Sequence, residues 1–363
     1  MRRLVDCPKN LSRRNFDLIL TIAAAVFVFG LLVLVHEFGH FITAKMTGMR
    51  VDEFAIGFGP KLISKKYGET VYSLRAVPLG GFNDIAGMDP DNNTAGERGF
   101  CAKPVLSRMI VILAGATMNF ILPIVLFFVI FATFGMSVPS TEPVIGSVIP
   151  GMSAEKAGLK ADDRILSVDG QTVTTWKEFT DKLKEIKAEQ NVLLQYKRGE
   201  EVNEVTVSPT FNKQENRILI GVQSSTVYES KTVPEAFALS IDYTKEITVY
   251  MIESIAQLFK EPEQTENLAG PIGIIQMSGR VAENGFIPLL KFAALLSINL
   301  GIINLLPVPV LDGGHFVNLF IEAVRGKPLS SKAVAYTQRV GIALLLMLML
   351  FATKNDLVRV FMK

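Results

Sequence analysis

Four stretches of this 363-residue chain are nearly free of charge. Residues 18–35 hold no charged side chain, and neither do residues 109–136. Residues 286–311 hold one, Lys291. Residues 340–352 hold none, and that run reaches back to Ala333 if Arg339 snorkels. A helix needs about 20 mostly apolar residues to cross the hydrocarbon. The pattern therefore predicts about four transmembrane helices, at 17–48, 105–137, 285–320 and 333–353. The first apolar run is too long for a signal-peptide core, and no small-residue cleavage site follows it.

Between the spans the period changes. Residues 50–82 alternate, with Val71, Ser73, Arg75 and Val77 on one face and Tyr72, Leu74 and Ala76 on the other. Glycines and prolines at 57, 59, 60, 78, 80 and 81 punctuate the ends. This predicts a β-hairpin turning through Lys65, Lys66, Tyr67 and Gly68, within a membrane-associated hairpin and loop at 49–104. Residues 141–225 have the composition of an α+β domain: strand, helix, strand, turn and strand, then a helix near 176–186 and a hairpin turning at Gly199. Residues 230–282 predict amphipathic helices, whose stripe of Phe237, Ile241, Ile247, Met251, Ile255 and Phe259 suits either a core or a membrane surface. A basic tail (1–16) and a short C-terminal tail (354–363) complete the chain.

Composition adds little. Hydrophobic residues make up 49% and the net charge is +2. Cys7 and Cys101 suggest no disulfide framework and no metal spacing. Basic residues do not cluster with aromatic ones, so nothing points to nucleic acid.

The chemistry sits at the end of the first span, in "VLVHEFGHFIT". Residues i and i+4 share a helix face, so His36 and His40 point the same way, with Glu37 beside them. Paired imidazoles at this spacing suit zinc, and the adjacent glutamate suits a general base acting on water. Ionisable groups inside a span are costly and mark function; the bland alternative is a histidine pair bonded within the bundle. A catalytic zinc site needs a third protein ligand. The stretch "NLLPVPVLDGGH" offers Asp312, the sole carboxylate between Asn299 and Phe320, with His315 as the other candidate. Pro307 and Pro309 break the helix there, and Gly313 and Gly314 permit close backbone approach. Broken helix at membrane depth is tolerated when it is buried or lines a wet cavity. Two crossings separate the end of span one from the end of span three, so both ends lie on one side of the membrane.

Together these residues resemble the site-2 protease family of intramembrane zinc metalloproteases, in its bacterial form with one PDZ domain. His36, Glu37 and His40 match its HExxH; Asn304, Pro307, Pro309, Asp312 and Gly313 match its N-x-x-P-x-P-x-x-D-G. The resemblance implies a polytopic α-helical membrane protein with a re-entrant β-hairpin and an inserted α+β PDZ domain. It implies Zn2+ on His36, His40 and Asp312, Glu37 as catalytic base, and Asn304 on the substrate backbone or oxyanion. "GPIGI" at 270–274 also resembles a family segment. Two stretches depart from the family: Gly115-Ala116-Thr117-Met118-Asn119 has alanine where the family has proline, and "PLGGFNDIAGM" continues unusually after its glycine pair.

The expected activity is hydrolysis of peptide bonds within or near transmembrane segments of single-pass membrane proteins, such as anti-sigma factors or remnant signal peptides. The hairpin is placed to add an unwound substrate as an extra strand. In the PDZ-like domain, backbone N–H groups near Leu219, Ile220, Gly221 and Val222 are candidates for a peptide carboxylate; a size filter is the other reading of that domain. Lys45, Arg50, Lys61, Lys65, Lys66 and Arg75 follow span one, and Arg325, Lys327 and Lys332 follow span three. By the positive-inside rule the site faces the cytoplasm of a bacterial inner membrane, with the PDZ domain outside; the basic residues of 1–16 argue the reverse. The rival functions are a non-proteolytic metal-binding transporter, which would not need Glu37, and a PDZ scaffold, which would not need the metal.

Overall fold

The structure, a computed structural model, describes residues 8–88, 95–186, 190–212, 217–260 and 269–361. The chain divides into two compact units: residues up to Ile130 together with those from Pro234 onward, and the inserted residues Phe131–Val233.

The first unit opens with α1 (Pro8–Met46). No glycine or proline interrupts residues 9–29, so the described part of the expected basic tail continues into the first span instead of standing apart. Strands β1 (Val51–Tyr67) and β2 (Thr70–Ile85) follow, then α2 (Val105–Phe134). Among the described residues, four helices are long and apolar enough to cross a membrane: Asp17–Met46, Val105–Phe134, Phe286–Leu305 and Ser331–Arg359. The first three share a core in which Ala24, Val28 and Leu32 pack with Leu122, Leu289 and Ala293. Many of their other apolar side chains are exposed, as lipid-facing helices require.

The hairpin is more elaborate than alternation implied. Residues 53–56 of β1 pair with 81–84 on one side and with 71–74 on the other, while 63–67 pair back onto 70–74. Glycines at 57, 59 and 80, all at positive φ, allow the strands to bend sharply between these runs. The tight turn is Gly68-Glu69, closed by the Tyr67–Thr70 pair. Glu53 knits the layers: it accepts from Ser73 at 2.5 Å, Arg75 at 2.8 Å and Lys61 at 2.9 Å. Burial pushes its carboxyl up, but these three bonds outweigh burial and bring it to about 2.

The second unit holds β3 (Met136–Pro139), β4 (Ile145–Val148), α3 (Ser153–Lys156), β5 (Arg164–Val168), β6 (Gln171–Thr172), α4 (Trp176–Glu185), β7 (Val192–Arg198), β8 (Glu201–Val207), β9 (Thr210–Asn212), β10 (Arg217–Leu219), β11 (Val222–Ser224) and β12 (Thr226–Glu229). The expected order of elements is present, and Gly199 turns the β7–β8 hairpin at φ 60. Thr175 caps α4 by accepting from the Glu178 amide. The core gathers Ile145, Ile165, Phe179, Leu194 and Ile220. The unit extends beyond the expected 141–225, because β12 pairs with β3 outside those limits.

Back in the first unit, the amphipathic stretch forms α5 (Val233–Lys260) and α6 (Pro271–Glu283). The expected third span, 285–320, is two helices: α7 (Phe286–Leu305) and α8 (Asp312–Arg325). Pro307 and Pro309 supply no N–H donors to the intervening residues, so the helix stops and restarts. The last helix, α9 (Ser331–Phe361), runs through most of the expected C-terminal tail. Asp356 explains that extension: it is buried on α9 and accepts from the Gly270 and Gly273 amides at 3.0 and 2.8 Å, which caps the start of α6.

Candidate metal centre

His36 and His40 lie one turn apart on α1, with their Nε2 atoms 3.3 Å apart. Each Nε2 lies 3.6 Å from a different oxygen of Asp312. The carboxylate comes from the first turn of α8, where a helix N-terminus favours negative charge. These three residues are the one cluster of metal-type donors among the described residues. His315, the other sequence candidate, is not part of it. It lines a separate cavity of about 520 Å³ with Arg108, Glu322 and Cys101.

The broken segment 306–311 places Asp312. Gly313 and Gly314 are buried, and a Cβ on either would strike the backbone carbonyls of Leu305, Leu306 or Val308. Val310, a β-branched residue, is held at φ 98, which costs about 1–3 kcal/mol and is tolerated where the surroundings fix the backbone. Gly341 of α9 does part of that fixing: a Cβ there would run into the carbonyl of Pro309.

Helix α2 supports the imidazoles from behind. A Cβ on Gly115 would lie 2.6 Å from His40 Cε1 and 2.7 Å from His36 Cε1, and one on Gly39 would lie 2.8 Å from the Ala114 carbonyl carbon. Two glycines thus let the helices close on each other at the site. His40 Nδ1 sits 2.8 Å from the Val111 carbonyl, an acceptor only, so Nδ1 carries the proton and Nε2 keeps its lone pair. His36 Nδ1 lies 3.1 Å from the Asn119 amide and 3.4 Å from that of Asn304. An amide bonds either tautomer by presenting nitrogen or oxygen. Asn119 thus bonds across to α1, and its own backbone carbonyl accepts from Ser297 of α7 at 2.8 Å.

Two partners were not legible in the sequence. Asn83 of β2 donates to the Glu37 carboxylate at 2.7 Å. Arg108 of α2 and Glu322 of α8 form a bidentate pair at 3.1 and 2.5 Å, tying the helix behind the histidines to the one that carries Asp312. Asn83 falls in the stretch that departs from the family after its glycine pair, and Arg108 and Glu322 stand in no motif; only proximity in space relates the three to the site.

A metal fits this geometry. Four ligands held about 2.0–2.1 Å from zinc at tetrahedral angles stand about 3.3 Å apart, close to the observed triangle. Asp312 Oδ2 is buried with no hydrogen-bond donor, as a ligand oxygen would be. Two imidazoles and one carboxylate match zinc's donor preference and leave a fourth position for the reacting group. In the second unit, the Ile220 and Gly221 carbonyls accept from Ala154 and Ile149, so the expected ligand loop is tied to the segment around α3.

Comparison with known proteins gives a matching family described as "Peptidase family M50", over residues 24–348. The regulator of sigma-W protease RasP from Bacillus subtilis is 33% identical over 423 residues, covering 94% of this chain and 99% of that one. The zinc metalloprotease RasP from Oceanobacillus iheyensis is 32% identical over 425 residues, covering 94% and 100%. Among solved structures, the PDZ domain of an SdrC-like protein from Listeria innocua is 28% identical, with a TM-score of 0.21, over 23% of this chain and 92% of that one.

Proposed function

Since the chain belongs to peptidase family M50, an integral-membrane family of zinc metalloproteases acting in regulated proteolysis, we propose that His36, His40 and Asp312 hold its zinc and that Glu37 is its catalytic base. The observation that carries this reading is the close triangle of His36 Nε2, His40 Nε2 and the Asp312 carboxylate.

Bound zinc supplies Lewis acidity toward a peptide carbonyl and toward water. The residues of the chain do the rest. Glu37 takes a proton as the water oxygen bonds the carbonyl carbon, then returns it to the amine nitrogen as the C–N bond breaks. The Val111 carbonyl holds the His40 ring through Nδ1, and Asn119 holds the His36 ring. Asn304, close to His36, is assigned to the substrate backbone or the oxyanion.

The substrate must unwind before its carbonyls are free. The outer edge of residues 81–84 is assigned to receive it as an added strand. Single-pass membrane proteins are the proposed substrates, reached through the surrounding lipid; membrane-anchored anti-sigma factors and remnant signal peptides are the candidate classes, the first in keeping with the name of the Bacillus relative. The basic loops after spans one and three favour a cytoplasmic site in a bacterial inner membrane and an extracytoplasmic insert. The insert is assigned chiefly as a size filter against untrimmed substrates, with Leu219, Ile220, Gly221 and Val222 as the alternative peptide-binding loop.

The test is Glu37→Gln. Cleavage should fall about 10²–10⁴-fold, the usual share of general-base catalysis, with zinc content unchanged by elemental analysis. Retained cleavage would favour a different base; loss of zinc would assign Glu37 to the metal.

A further inference from the structure

Asn83 lies on the run of β2 that pairs with 53–56, opposite Phe54. Its Nδ2 donates twice to one residue: to the Glu37 carboxylate at 2.7 Å and to the Glu37 backbone carbonyl at 2.8 Å. Both partners are acceptors. Turning the amide over would aim its oxygen at two oxygens, so its orientation is settled by chemistry. Its Oδ1 is left buried without a partner. Backbone packing allows this approach: a Cβ at Gly81 would lie 3.0 Å from Glu37 Cγ, 3.0 Å from Val33 Cγ1 and 2.7 Å from the Ala55 carbonyl.

We propose that Asn83 is a positioning residue for Glu37, gripping its main chain and carboxylate with one amide and so holding the base in a single rotamer. A glutamate side chain has three rotatable bonds, and a general base works only within hydrogen-bond reach of the proton it takes. A bond to the carboxylate alone would follow the side chain as it moved. The second bond, to the helix backbone, anchors the amide so that the carboxylate has a fixed reference. Asn83 also rides on the strand whose outer edge is assigned to the substrate, so substrate binding and alignment of the base fall on one element. The inference rests on the assignment of Glu37 as base.

The test uses the purified full chain with zinc and a fluorophore-tagged single-pass membrane peptide that the wild type cleaves. Asn83→Leu preserves side-chain size and removes the donor. Its kcat should fall about 100-fold, the usual consequence of a misplaced reacting group, with KM changed less than about twofold. Zinc content and unfolding temperature should match the wild type. Asn83→Gln, which keeps an amide donor, should recover part of the kcat. If Asn83→Leu does not fold, Asn83→Ala, which lacks the donor and adds no charge beside Glu37, carries the same test. A variant lacking the donor that folds, binds zinc and keeps a kcat within about twofold of the wild type overturns the proposal, as does a loss confined to KM or to zinc content. Glu37→Gln is assayed alongside: if it still cleaves, the assignment of the base has failed, whatever Asn83 does.

Discussion

Each imidazole's usefulness as a ligand is decided by what its other nitrogen touches. His40 has no choice, because the Val111 carbonyl accepts from Nδ1 and frees Nε2. His36 depends on Asn119, whose amide bonds Nδ1 whichever way it is turned. For Nε2 to be a ligand, Nδ1 must carry the proton and the amide must present its oxygen. Asn119→Ala should therefore weaken zinc binding about 10–100-fold, the usual cost of losing a partner that orients a metal-binding histidine. Competition against a chromophoric chelator measures this. Asn119→Asp, which keeps an acceptor for Nδ1–H, should retain most of the affinity. The HExxH pattern displayed the two candidate ligands directly, because four residues is about one helical turn. The residues that orient them lie far off in sequence: Asn119 is 83 positions from His36, and Asn304 is 268. No local periodicity encodes such a pairing.

Among the elements, the four-run sheet of β1 and β2 departs most from what alternation implied. A period of two says which residues share a face but not how often a strand doubles back. The doubling places residues 81–84 at one edge of the sheet, where Asn83 meets Glu37, and residues 63–67 at the other edge. The Gly68-Glu69 turn has its own clamp, since Glu69 accepts from Arg98 at 2.7 and 2.8 Å and from Lys45 at 2.5 Å. The Arg98 bonds, then the Lys45 bond, hold its carboxyl well below the ordinary value of 4.5, at about 2. A depressed carboxyl stabilises the closed turn fully above its ordinary value and loses that contribution as pH falls toward the depressed one. Hydrogen exchange at residues 66–71 should accordingly rise, relative to the intrinsic exchange rate, as pH is lowered from about 4.5 to about 2. Glu69→Gln should show the faster exchange already at neutral pH. Arg98 is half-exposed and Glu69 and Lys45 partly so, so the change should stay local.

For the whole molecule, the insert's boundaries carry a prediction of their own. β3 and β12 pair antiparallel, with Pro139 opposite Thr226, so the chain leaves and re-enters through adjacent strands. Residues 140–225 can then be replaced by a two-residue turn without breaking that pair. If the insert is a size filter, the shortened enzyme should cleave single-pass substrates with intact outer domains that the full chain spares, and cleave trimmed substrates at the same rate; gel analysis of paired substrates in vesicles measures this. Equal refusal of bulky substrates would count against the filter and favour the peptide-binding loop. By itself, the sequence determined four apolar runs long enough to span, the presence of an inserted domain and the paired histidines of the HExxH pattern, and it narrowed the third candidate ligand to Asp312 or His315. Hydrophobic run length, helical period and the placement of proline and glycine are local properties that survive in one dimension. Only the tertiary structure decided which groups meet: Asn83 on Glu37, Gly115 against two imidazoles, Arg108 on Glu322. Such contacts depend on the packing of elements distant along the chain, and packing follows from side-chain shape and distance in three dimensions.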